Sequence, residues 1–403
     1  MRILFVATPE SVHTARWIGQ LGGQGWDVHL FPTNDAPPHA ALTGVTFHAF
    51  SGARPSGADP GLRVKGPYPL RRGGYVLQLA ARQVFPRRMA RDARLASAVR
   101  RIRPDIVHSL GVQLAAYPTL EAKRAFGEGF PPWLVSSWGN DLYLLGRLAE
   151  HAPKIEAVLS ACEYFTADCE RDNALAREHG FRGETFPALP GAGGLDIELA
   201  KRLRTPGPTS ARRVVALKGY QSWYGRALDG LRAVEMCADV LEGYTLVVYF
   251  ANPDVAVAAE LMSQRTGIKV ELFPSGSYEE SLRLHGRARV SVGVSISDGL
   301  PLSTVEAALM GSFPVQTDTS CVGERLRDGV GTLLVPPDDI GSIAAALRRA
   351  LTDDELVDRA AGINFRQIAG TMSREAVTPR AVEMYEKIYA ARRAEGGGGA
   401  RHN

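Results

Sequence analysis

Cysteine is scarce in this 403-residue chain. Cys162, Cys169, Cys237 and Cys321 form no Cys-x-x-Cys pair and have no histidine at metal-ligand spacing. That disfavours both a disulfide framework and a structural zinc site, leaving buried thiols as the expectation. Long hydrophobic runs are also missing. A stretch such as YTLVVYFA over 244–251 falls far short of the roughly 18 residues of a membrane-spanning helix. No small-residue cleavage site follows the apolar start MRILFVATPE, so the start reads as a first β-strand and the expected location is the cytoplasm. Lysine is rare, 7 against 40 arginines, an excess of the kind a GC-rich bacterial genome produces. Acids nearly vanish between Arg63 and Arg103, where twelve Arg or Lys face Asp92 alone. That segment carries +11 while the rest of the chain sums to −7, so its partner is expected to be anionic.

What is present is the composition of a globular protein, 45% hydrophobic and 22% charged, at a length that suits two domains. Strand-like runs (RILFVA, WDVHLF, PDIVHSL, PWLVSSW, YFTADC) alternate with helical patterns, and a second set (RRVVALKG, YTLVVYF, IKVELF, RVSVGVS, FPVQTD, GTLLVP) follows. The βαβ order predicts two parallel, doubly wound sheets covered by helices on both faces. The expected boundaries are a first domain over 1–190, a Pro/Gly-rich linker over 191–211, a second domain over 212–375, a terminal helix over 376–395 and a glycine-rich tail over 396–403. Ligands of such sheets lie beyond the carboxyl ends of the strands, so the loops there are where function is expected, and two such sheets facing one another make a cleft.

The most informative block is SISDGLPLSTVEAALMGSFPVQTD, residues 295–318. It predicts a strand ending at Ile296, a turn Asp298-Gly299-Leu300-Pro301, and a helix from about Ser303 with Glu306 in its first turn. A turn feeding a helix N-terminus offers backbone N–H groups and partial positive charge to a diphosphate. Asp298 and Glu306, eight residues apart, add carboxylates that accept hydrogen bonds from sugar hydroxyls. Lys218 closes the strand of ALKGYQSWYGRALDGL and Arg226 opens its helix, two cations placed to balance charge on a leaving group. In the first half, PDIVHSLGVQ carries His108, VSSWGNDLYL carries Trp138, Gly139, Asn140 and Asp141, and ATPESVHTARW carries His13 in the loop after the first strand.

The 295–318 block resembles the Glu-x7-Glu element of the retaining family 4 glycosyltransferases. The resemblance extends over essentially the full chain and implies the GT-B fold, with two Rossmann-like domains across a cleft and a C-terminal helix crossing back to the first. It further implies that Asp298 holds the donor sugar, Glu306 the nucleotide ribose and Gly299 with Leu300 the diphosphate, Pro301 and Ser303 completing the donor set. Lys218 and Arg226 match the family's pyrophosphate cations, at altered spacing. Trp138 stands where the family's His-Gly-x-Asp turn has histidine, so Asp141 or His108 is left to make polar contacts, with His13, Gly139 and Asn140 on the acceptor side. The implied reaction moves a sugar from a nucleotide-sugar donor, UDP- or GDP-linked, to an acceptor hydroxyl with retention of configuration. No Asp-x-Asp motif is present, and neither cofactor nor metal is expected.

Two other classes stay open: a GT-B nucleotide-sugar epimerase and a non-catalytic nucleotide-sugar-binding protein. No nucleic-acid partner is expected. For the basic segment, with Pro86 dividing it into two helices, the bland expectation is a helix that packs its apolar face and presents charge outward. The sharper one is peripheral contact with an anionic membrane through residues 63–103, Arg87, Arg88 and Arg91 among them.

Overall fold

The computed structural model describes residues 1–49, 61–65, 90–273 and 276–398. The chain divides into two compact units, one of Met1–Gly194 with the chain from Glu375 onward, the other Leu195–Arg374.

In the first unit the strands are β1 (Arg2–Ala7), β2 (Asp27–Pro32), β3 (Thr46–His48), β4 (Arg63–Lys65), β5 (Ile106–Leu110), β6 (Trp133–Ser137), β7 (Tyr164–Ala167) and β8 (Glu184–Thr185). They form one sheet in the order β4-β3-β2-β1-β5-β6-β7-β8, every pair parallel. β1, β5 and β6 are buried along nearly their whole length, as parallel strands covered on both faces must be. Their runs are therefore apolar without alternation, which is why they stand out in the sequence. β3, β4 and β8 were not expected. At three, three and two residues they are too short to carry a hydrophobic period.

The second unit has β9 (Val214–Lys218), β10 (Thr245–Tyr249), β11 (Lys269–Phe273), β12 (Val290–Gly293), β13 (Phe313–Thr317) and β14 (Leu333–Val335), in the parallel order β11-β10-β9-β12-β13-β14. The expected linker over 191–211 holds regular structure: a helix Ile197–Leu203, capped by Asp196 Oδ1 on Leu199 N–H at 2.9 Å, and a 3-10 turn at Thr209–Ala211. Leu195, Ile197 and Ala200 are buried against Leu309, Ile368 and Met372. The helix has only seven residues between Pro/Gly clusters, too few to set a visible period.

The helix Arg374–Gly398 belongs to the first unit from Glu375. Val377, Ala381, Met384, Tyr385 and Ile388 recur at helical spacing and are buried against Phe5, Trp17 and Leu30. Burial of each of the larger side chains contributes on the order of 1.5–3 kcal/mol. No helix among the described residues is long and apolar enough to cross a membrane. All four cysteines are buried.

Candidate active site

The strand order of the second unit reverses direction between β9 and β12, where a doubly wound sheet opens a crevice beyond its carboxyl ends. Lys218 is the last residue of β9. β12 stops at Gly293, three residues before the expected Ile296, because Ser295 leaves the parallel ladder to bridge antiparallel to Gly225. The chain then turns through Asp298–Pro301. Cys321 N–H donates to Gly299 C=O at 2.8 Å and Thr319 Oγ1 to Ser295 C=O at 2.6 Å, which fix the turn against the loop after β13. Gly299, Leu300 and Pro301 are buried there, and Ser303 is half-buried. Across the reversal, Lys218 Nζ lies 3.7 Å from Asp298 Oδ2, and also 5.0 Å above the Tyr220 ring.

The helix begins at Leu302, so Glu306 sits at its fifth residue, in the second turn and not the first as expected. It is only 7% exposed. Burial, and then the nearby Glu306 charge, push the buried Tyr249 phenol at the end of β10 upward; Tyr224 is raised the same way by burial and then by Asp298. Neither tyrosine was foreseen, because nothing in the spacing of β10 or of SWYGR shows that topology brings them to the two carboxylates. Arg226 caps its helix as expected, but its Nη1 donates to Ser222 and Gly225 carbonyls at 2.9 and 3.0 Å. It braces the preceding hairpin with that nitrogen.

In the first unit the reversal lies between β1 and β5. Ser11 caps the helix Val12–Gly19, so His13 is an exposed first-turn residue and not a loop residue; its ring lies 6.2 Å from that of Trp138. The turn after β6 is built on Asp141, whose Oδ2 accepts Trp138 N–H at 3.1 Å and Val112 N–H at 2.9 Å. Gly139, at φ +60°, donates its N–H toward Asp168, and Asn140 C=O accepts from Leu144 and Leu145. Burial pushes the Asp141 carboxyl up to about 7 in spite of the two donors. Asp141 is thus a clamp between two loops. Trp138 is half-buried against the core.

His108 is a correction. It is wholly buried, with Nδ1 2.7 Å from Tyr385 Oη and Nε2 2.7 Å from Ser136 Oγ, and burial holds it down to about 3. It is a neutral core histidine with no face for a ligand. The sequence could not distinguish this, since a strand-end histidine reads alike in either setting.

Of the basic segment, residues 66–89, including Pro86, Arg87 and Arg88, lie outside the described residues. The helix Arg91–Ile102 buries Leu95, Ala96, Val99 and Ile102. Arg91 donates to Pro32 C=O at 2.8 Å and pairs with Asp35, and Arg100 donates to Ala125 C=O. This part of the segment follows the bland expectation of packing.

HepE from Anabaena, solved with UDP-glucose, superimposes with a TM-score of 0.67 at 13% identity, over 96% of this chain and 100% of that one. The fold is that of the GT-B glycosyltransferases. Other similar GT-B structures are the sucrose-phosphate synthase of Thermosynechococcus elongatus (TM-score 0.67, 15% identity, 97% of this chain and 100% of that one) and the α,α-trehalose 6-phosphate synthase of Burkholderia multivorans (0.68, 16%, 100% and 99%). Residues 226–353 match the family described as glycosyl transferases group 1, a segment that contains Asp298 and Glu306. No curated protein matches the sequence.

Proposed function

We propose that the protein is a retaining glycosyltransferase whose second unit binds a nucleotide-sugar donor. The observation that carries this reading is the Lys218–Asp298 pair at the β9–β12 reversal, with Glu306 buried one helical turn beyond the anion-binding N-terminus. Lys218 offsets charge on the departing diphosphate. The first turn of the helix Leu302–Leu309 receives the phosphate oxygens. Asp298 accepts from hydroxyls of the transferred sugar and Glu306 from those of the ribose. UDP is the first nucleotide to test, since HepE was solved with UDP-glucose; GDP is the second. The first unit is assigned the acceptor, a hydroxyl compound, with His13 and the Trp138–Asp141 turn lining its loops. Retention without a protein nucleophile requires the acceptor to attack from the leaving-group face, a diphosphate oxygen taking its proton. No metal is needed in this scheme, so turnover is expected to survive a chelator. Cytoplasmic location, with peripheral contact to anionic membrane through residues 63–103, is a secondary element, tested by vesicle sedimentation at low and high salt.

The experiment follows the fate of nucleotide sugars with and without candidate acceptors. Acceptor-dependent release of nucleoside diphosphate, together with an α-glycoside in the product's proton spectrum, is the expected result. Epimerised sugar without acceptor would make the protein an isomerase, and binding without turnover would make it a non-catalytic module.

A further inference from the structure

Between Lys218 and Arg226 the chain makes a tight hairpin. Gln221 and Arg226 bridge antiparallel, Ser222 N–H donates to Gly225 C=O at 3.3 Å, and Ser222 Oγ accepts Gly225 N–H at 3.1 Å. Trp223 and Tyr224 are left as its two tip residues. The hairpin is fixed from both sides. Arg226 N–H donates to Val294 C=O and Ile296 N–H to Tyr224 C=O, which pair it with the strand leading to Asp298. Gln221 N–H donates to Asn252 Oδ1, and the Arg226 guanidinium holds the carbonyls of Ser222 and Gly225. A side chain at Gly225 would meet Tyr220 C=O at 2.4 Å, so the turn has a single close-packed arrangement.

A two-residue hairpin tip favours Gly, Asn or Asp. Trp-Tyr serves no turn chemistry. Nor does Trp223 serve the core, for of the five tryptophans it alone is exposed, at 57%. Its ring meets Tyr224 edge-on at 4.8 Å, and Tyr224 in turn feels the charge of Asp298. An exposed aromatic thus stands on a hairpin tip that pairs with Ile296, two residues before the acceptor-only carboxylate of Asp298. The ligand group complementary to both has hydroxyl donors for the carboxylate and a C–H face for the indole, whose π cloud is electron-rich. A pyranose ring meets both demands.

We infer that Trp223 is the stacking platform for the ring of the transferred sugar, a specificity-determining contact held in place by the hairpin. This deepens the nucleotide-sugar reading and rests on it.

The test compares, for wild type, Trp223→Ala and Trp223→Phe, calorimetric affinity for the nucleotide sugar that wild type binds best and for its nucleoside diphosphate. Trp223→Ala is expected to weaken the nucleotide sugar about tenfold and leave the nucleoside diphosphate unchanged, with Trp223→Phe recovering most of the loss. Melting temperature should not move, because the side chain is exposed. Equal loss of both ligands, or no loss of either, overturns the inference while leaving the nucleotide-sugar reading standing. Failure of wild type to bind any nucleotide sugar or nucleoside diphosphate overturns both.

Discussion

Lys218 Nζ lies 3.7 Å from Asp298 Oδ2; Lys218 ends β9 and Asp298 lies in the loop that leaves the adjacent β12, at the one place where the second sheet reverses its order. The pair is 23% and 22% exposed, open enough to meet a ligand and close enough for each charge to hold the other in place. Lys218→Ala is expected to lower turnover by roughly tenfold to a thousandfold, since it removes preorganised positive charge from the leaving diphosphate. Asp298→Ala should depress turnover more than nucleoside diphosphate affinity, because the sugar it is proposed to hold is missing from that product. Steady-state rates and calorimetry on the same variants check both.

Tyr385 fastens the C-terminal helix into the first unit. Its hydroxyl accepts Trp17 Nε1–H at 2.9 Å and lies 2.7 Å from His108 Nδ1. Tyr385→Phe leaves two buried polar groups short of a partner, and should cost about 1–3 kcal/mol in denaturant unfolding. A change within a few tenths of that of wild type would remove the network from the account of stability.

Acid should destabilise the fold through buried histidines. Burial holds His48 and His108 down to about 3 and His285 to about 4, below the ordinary 6.5. Between those values the unfolded chain binds more protons than the folded one, so stability present above pH 6.5 is lost as pH falls. Each histidine contributes a slope approaching 1.4 kcal/mol per pH unit. His108→Gln should flatten the acid limb of a stability profile by about one proton.

Asp141 has the opposite sign. Its folded pKa, about 7, stands above the ordinary 3.8, so from pH 4 to 7 the folded state binds the extra proton and stability falls as pH rises. Asn at this position keeps an oxygen for Val112 and Trp138 N–H but carries no charge. Asp141→Asn should therefore gain on wild type as pH rises from 4 to 7 in thermal melts; parallel profiles would show that Asp141 does not titrate there.

Much of the fold was legible because buried parallel strands write themselves as unbroken apolar runs; those of β1, β5, β9 and β10 need no context. The short β3, β4 and β8 draw their existence from neighbours in the sheet and leave no local trace. At the candidate site, turn chemistry and resemblance single out Lys218, Asp298 and Glu306, and the structure places Lys218 beside Asp298. His108 was misjudged because sequence reports residue type but not what a side chain touches. Tyr249 and Tyr224 were missed for the same reason, as strand order alone decides which aromatics border the carboxylates.

The central claim is that the carboxyl edge of the second sheet binds a nucleotide through Glu306. Calorimetric titration of UDP, GDP and ADP into wild type and Glu306→Gln tests it most directly. At least one nucleoside diphosphate should bind wild type, and Glu306→Gln should weaken it by 1–3 kcal/mol, roughly fivefold to a hundredfold, with the fold intact. Equal affinity in the two proteins, or no binding to wild type, would contradict the account.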